Sequence, residues 1–182
     1  MEDMIMNGSV MKSAGFAVGL MVALALGVLF LKVMNKDKGI ATKYDEMQEI
    51  IRGRSYKYAF WTVIVCEAAL ILFDTVKSKM PFESGMIHFL VIIIGIMVQI
   101  TYCIWHDAYI GLNTNTSRFI ISMLVIGGFN LGLAVWAYFD GRLFKDGTIQ
   151  VSFLNAICGV LCLVVMAEVI IKNALSGKEK ED

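Results

Sequence analysis

The sequence predicts an all-α fold, an integral membrane bundle of five transmembrane helices with one cytoplasmic amphipathic helix. Three observations predict it. Residues 14–33, 58–76, 86–106, 119–139 and 151–171 are apolar runs of about 20 residues, enough at ~1.5 Å per residue to cross ~30 Å of hydrocarbon. The 182 residues are 58% hydrophobic with a mean hydropathy of +0.70, far more apolar than a soluble domain. The polar residues are pushed into connections too short to hold a second domain, so residues 1–182 read as one transmembrane domain. Only helices of this kind satisfy their backbone polar groups in lipid without help.

The first run starts near the N-terminus but is longer than a signal-peptide core, and its strongest charge follows it, so it reads as a retained span. Gly15, Gly19, Ala23 and Gly27 stand at four-residue spacing. Such a strip of small residues forms a packing seam for another helix, from this chain or from a second copy.

The connection over 34–57 is the one substantial polar segment. Thr42-Lys43-Tyr44-Asp45 fits a capping box with Asp in place of Glu. Beyond it Tyr44, Met47 and Ile51 recur at helical spacing among charged residues, which predicts an amphipathic interfacial helix over about 43–54. Its acidic start and the basic Arg52-Gly53-Arg54 exit suit the helix dipole. Tyr44, Met47, Ile51, Arg52 and Arg54 are the candidate contact residues for a cytoplasmic partner, a second copy or anionic headgroups; the plainer role is a connector packed on the bundle floor.

Lys32, Lys36, Lys38, Lys43, Arg52, Arg54 and Lys57 crowd this connection and its helix ends, and Arg118, Lys172, Lys178 and Lys180 fall on the same side if five spans alternate. Lys12, Lys77, Lys79, Arg142 and Lys145 fall on the other. The positive-inside rule then sets the N-terminus out and the C-terminus in. Asn115-Thr116-Ser117 matches a glycosylation sequon but lies on the cytoplasmic face in this arrangement. Pro81, the single proline, sits in a connection, so no span carries a proline kink. Arg54 and Arg118 enter spans two and four, and Phe73-Asp74 and Phe139-Asp140 close them, which sketches two parallel hairpins.

Tyr44-Asp45-Glu46-Met47-Gln48-Glu49-Ile50-Ile51-Arg52-Gly53-Arg54-Ser55-Tyr56-Lys57-Tyr58-Ala59-Phe60 resembles a segment of small bacterial multi-pass membrane proteins of uncharacterised activity. There an Asp-Glu-Arg-Gln motif precedes Arg-Gly-Lys and an aromatic run; here Met47 stands for the Arg and Arg54 for the Lys. The resemblance covers about a tenth of the chain and implies a protein of the bacterial cytoplasmic (inner) membrane.

An ionisable side chain at bilayer depth costs about 2.5–3.5 kcal/mol on insertion scales and asks for a partner. Glu67 lies near the middle of span two, and depth matching sets Gln99 of span three and Asn130 of span four within about two turns of it. The three form the candidate ligand or proton site, or simply a hydrogen-bonded pin across three helices. Glu168 is expected to pair with Lys172 a turn away. Cys66, Cys103, Cys158 and Cys162 all fall inside spans, where reduced cysteines act as small hydrophobes rather than a disulfide framework.

Zero net charge from 16 basic and 16 acidic residues offers no global field for nucleic acid. With no P-loop, HExxH, GxSxG or Ser/His/Asp pattern, no catalytic residue, metal site or cofactor is expected. The leading expectation is a non-enzymatic membrane protein acting as a partner-binding or regulatory component through residues 34–57. The alternative is a small transporter or ligand-binding membrane protein centred on Glu67.

Overall fold

In the computed structural model, residues 17–18, 21–22, 24–75, 81–82 and 84–178 are described. Among the described residues five α-helices make up the fold: α1 (Leu24–Met34), α2 (Glu46–Thr75), α3 (Ser84–Trp105), α4 (Thr116–Phe139) and α5 (Leu154–Lys178). The last four are each long and apolar enough to cross a bilayer, which points to a multi-pass membrane protein. The uninterrupted described stretch of α1 spans ~16 Å, and residues 17–18 and 21–22 before it are helical too. Of the expected packing strip, Gly15, Gly19 and Ala23 lie outside the described residues, and no described neighbour comes within 4 Å of a Cβ built on Gly27.

The expected amphipathic helix is not a separate element. It forms the first turns of α2, a continuous helix of 30 residues and ~45 Å. The cap also sits one turn later than expected. Asp45 Oδ1 accepts from the Gln48 N–H at 2.7 Å and Gln48 Oε1 accepts from the Asp45 N–H at 3.3 Å, so the box is Asp45–Gln48 rather than Thr42–Asp45. Gly53 does not break the helix, because a helical glycine costs only about 1 kcal/mol against alanine and no proline follows. At ~45 Å, α2 is longer than ~30 Å of hydrocarbon, which leaves length for tilt or for an overhang at one end.

Helices α2 and α3 form one antiparallel hairpin, α4 and α5 a second, and α3 meets α5 along a narrower seam. Glycines permit the closest approaches. A Cβ on Gly95 would lie 2.5 Å from Val63 Cγ2 of α2. A Cβ on Gly159 would lie 2.7 Å from Leu131 Cγ and 3.0 Å from Gly127 O of α4. In lipid such close packing stands in for the hydrophobic drive between helices. A buried cluster of Met34, Ile104, Phe119, Val165 and Val169 ties α1, α3, α4 and α5 together.

The connections are joined at both ends of the bundle. At the far end Phe144–Lys145 pairs antiparallel with Thr148–Ile149 around Asp146-Gly147, whose φ angles of 52° and 76° suit a two-residue hairpin turn. The Ile149 N–H then donates to Pro81 O at 2.8 Å, joining the hairpin to the α2–α3 connection. At the other end, which carries Lys36, Lys38, Lys43, Arg52, Arg54, Arg118 and Lys172 and is called the basic end here, residues 35–45 are stitched to residues 106–115.

Candidate ligand cavity at the basic end

The stitching begins with two asparagines. Asn35, fully buried, donates through Nδ2 to Gly39 O at 2.9 Å and Ala41 O at 3.3 Å, folding residues 35–41 into a tight loop. Asn113 reaches across from the α3–α4 connection: Oδ1 accepts from the Lys43 N–H at 2.9 Å, and Nδ2 donates to Ala41 O at 3.0 Å and to Asp37. Backbone bonds from Lys36 N–H to Asn113 O, Leu112 N–H to Lys43 O and Asn115 N–H to Met34 O complete the clamp. Gly111 is required by space, since a Cβ there would stand 2.3 Å from Thr42 Cγ2 and 2.8 Å from Lys43 O.

Asp37 receives the Lys43 ammonium at 2.9 Å, and that contact, with the Gly39 N–H and Asn113, lowers its carboxyl from the usual 3.8 to about 2. The clamp closes two helix ends as well. Asn115 caps α4 by accepting from the Arg118 N–H at 3.0 Å, so the sequon asparagine is a structural cap. The Arg118 guanidinium donates to Val33 O at 3.2 Å, at the C-terminal end of α1.

Beneath the clamp lies a cavity of about 340 Å³, reached by Tyr44, Arg52 and Tyr56 from the α2 side, Gln99 from α3, and Tyr109 from the α3–α4 connection. Arg52 lies 4.0 Å from the centre of the Tyr44 ring and donates weakly to Ala108 O at 3.5 Å. No ion pair engages it among the described residues. Burial raises the hydroxyl pKa of Tyr44 and pushes that of Tyr109 up to about 12, so both phenols stay neutral and can donate. Gln48 holds the wall by donating to Asp107 O at 2.8 Å and Ile110 O at 3.2 Å.

The candidate residues therefore regroup. Tyr44, Arg52 and Gln99, drawn from two different expected sets, line one cavity. Met47 and Arg54 face outward instead, and Ile51 is half-buried. The expected cluster of Glu67, Gln99 and Asn130 does not form. Glu67 bonds His88 of α3, with Nδ1 3.0 Å from Oε2, while Asn130 donates to Ile126 O of its own helix at 2.9 Å. The hairpin explains the error. Since α2 and α3 run antiparallel, Ser55 meets Cys103 and Val63 comes against Gly95, so Glu67 meets the start of α3. Gln99 lies eleven residues further along α3, ~16 Å nearer the basic end.

Glu168 differs from expectation too. Lys172 pairs with Asp107 at 3.0 Å, and Glu168 accepts from Thr101 Oγ1 at 3.2 Å on both oxygens. Asn35, Tyr109 and Asn113 drew no candidate role from the sequence, and Gln48 entered only within the resembling segment. An asparagine in a turn carries no distinctive signal until its partner connection, some 70 residues away, is known. Among the described residues no three His, Cys, Asp or Glu side chains are grouped to hold a metal ion.

The architecture and cavity suggest a class, a multi-pass membrane protein with a capped cavity of mixed lining at one end of the bundle. Compared with known proteins, the chain matches no family model, no curated protein and no solved structure.

Proposed function

We propose that this is a non-enzymatic membrane protein that binds an amphiphile with an anionic head group in the basic-end cavity. One observation carries the reading: Arg52 is held against Tyr44 at the cavity wall with no ion-pair partner among the described residues. A guanidinium presents five donors in a fork matched to carboxylate or phosphate, and most of its donors are free here. The neutral hydroxyls of Tyr44 and Tyr109 and the Gln99 amide supply further contacts. The apolar wall of Phe30, Leu31, Ile100 and Phe119 suits a hydrocarbon chain.

In the same reading α1 completes a fifth crossing, and the basic end faces the cytoplasm of a bacterial cell, with the N-terminus outside. The Lys and Arg residues gathered there, against Arg142 and Lys145 at the far end among the described residues, support that orientation.

The test is lipid retention. Wild-type protein in nanodiscs of mixed phosphatidylglycerol and phosphatidylcholine, read by native mass spectrometry, should retain the acidic lipid. Arg52→Gln should weaken that retention by roughly ten- to a hundredfold, the scale of a charge-assisted bond. Equal retention by both proteins refutes the reading.

A second reading keeps the partner-binding role for the overhanging start of α2. Met47 and Ile50, 66% and 53% exposed, lie beside the acidic Glu46 and Glu49 in the first turns of α2. A photocrosslinker at Met47 that captures one defined cytoplasmic protein or a second copy supports it; labelling of lipid alone removes it.

A further inference from the structure

We propose that the groove along α3 between α2 and α5 binds lipophilic cations, of the quaternary ammonium or phosphonium class, with Glu168 as their counter-charge. The groove is separate from the Arg52 cavity. Gln99 and Ile100 of α3 face that cavity, whereas Leu90, Ile94, Val98 and Thr101 form the floor here. Tyr58 of α2 makes one wall, and Ile157 and Leu161 of α5 make the other. From Leu90 to His106 the floor runs ~24 Å, and the groove holds about 780 Å³, the scale of a drug-sized ligand.

Its polarity is graded. The far half is lined by hydrocarbon, while Tyr58, Thr101, Tyr102, Trp105 and His106 gather at the basic end. Tyr102 lies 5.0 Å from Tyr58 and stacks on His106 at 4.0 Å, ring centre to ring centre. Aromatic faces attract cations, best where water is excluded. The His106 ring is held in place, because Nδ1 donates to Tyr102 O at 2.8 Å.

The charge lies one bond behind this wall. Thr101, on the groove floor, donates to both carboxylate oxygens of Glu168 at 3.2 Å. No cation pairs with Glu168 among the described residues, and Lys172, a turn away, is held by Asp107 at 3.0 Å. A carboxylate inside a span that lacks a basic partner is complementary to a positive ligand, and an apolar groove ending in aromatic rings is complementary to its hydrocarbon body. Phospholipid tails could fill the same groove without using Glu168, and that distinction is what the experiment reads.

The probes are tetraphenylphosphonium and tetraphenylborate, ions of matched shape and opposite charge. Equilibrium binding is measured on protein in nanodiscs, with empty nanodiscs subtracted. Wild-type protein should bind the phosphonium at least tenfold tighter than the borate. Glu168→Gln, which keeps the acceptor for Thr101, should lose about tenfold in phosphonium affinity and none in borate affinity. Ile94→Trp, which obstructs the groove and leaves Glu168 intact, should abolish phosphonium binding. A wild-type protein that does not discriminate between the ions overturns the proposal without any mutant. So does a folded Glu168→Gln protein with undiminished phosphonium binding, the result expected of a groove filled by lipid tails alone. Arg52→Gln should leave phosphonium binding unchanged, so this proposal and the anionic-ligand reading fail separately.

Discussion

Replacing Gly111 by alanine should separate the two connections that cap the bundle. The new Cβ would lie 2.3 Å from Thr42 Cγ2, 2.8 Å from Lys43 O and 3.3 Å from Thr114 Oγ1. The methyl of Thr42 can rotate away, but Lys43 O is backbone and is also the acceptor for the Leu112 N–H at 2.8 Å. Relief therefore means moving one connection off the other and stretching that bond. Overpacking of this kind costs about 1–3 kcal/mol, and one weakened backbone hydrogen bond adds about 1 kcal/mol. The sum, roughly 2–4 kcal/mol, corresponds to a drop of about 5–15 °C in melting temperature for a chain of this size. Thermal unfolding in mild detergent, followed by tryptophan fluorescence, measures it. Adding Thr42→Ser removes the nearest clash but not the carbonyl contact, so the double variant should recover only part of the loss. A Gly111→Ala protein that melts within about 1 °C of wild type would show that the clamp is looser than these distances require.

Gly159→Ala should weaken the α4–α5 hairpin by about 1–3 kcal/mol, since its Cβ would meet Leu131 at 2.7 Å and Gly127 O at 3.0 Å; Gly128→Ala, helical and facing open space, should instead raise the melting temperature by about 2–4 °C. Asn35→Ala strips two donors from a fully buried site and leaves Gly39 O wanting a partner, while Ala41 O keeps its bond from Asn113, a loss of about 1–3 kcal/mol in the same assay. The lowered carboxyl of Asp37 sets an acid limit on the clamp. Its contribution is complete above the ordinary 3.8 and is lost as the pH falls through about 2. Hydrogen exchange of residues 36–43, corrected for intrinsic rates, should therefore stay constant from about pH 8 to 4 and rise below it, and Asp37→Asn should remove that dependence.

What could be read in the sequence was set by the solvent each residue demands. Four runs of apolar residues each fell on one of the helices α2 to α5, because length and apolarity decide whether a segment can cross lipid, although α2 starts twelve residues before its run and α5 ends seven after its own. What could not be read was the register of one helix against another and the azimuth around each. Depth matching grouped Glu67 with Gln99 and Asn130, but the antiparallel hairpin gives Glu67 to His88. Spacing alone misleads in the same way. Gly128 and Gly132 stand four apart yet face open space, whereas Gly127, beside them, makes the contact with Gly159. The cavity was half visible. Tyr44, Arg52 and Gln99 were marked as candidates, but their meeting depends on a clamp between connections far apart in the chain. The turn at Asp146-Gly147 carries a local hairpin signature that its two-residue strands made easy to overlook.

The bonds between connections at both extremities have a mechanical consequence. Residues 35–45 are fastened to 106–115 at one pole, and Pro81 to Ile149 at the other, so swinging the hairpins apart like the blades of scissors must break hydrogen bonds at one pole or the other. The channel beside α3 runs between those two tied poles, so widening it without breaking either tie means bowing the helices, as staves bow in a hooped cask.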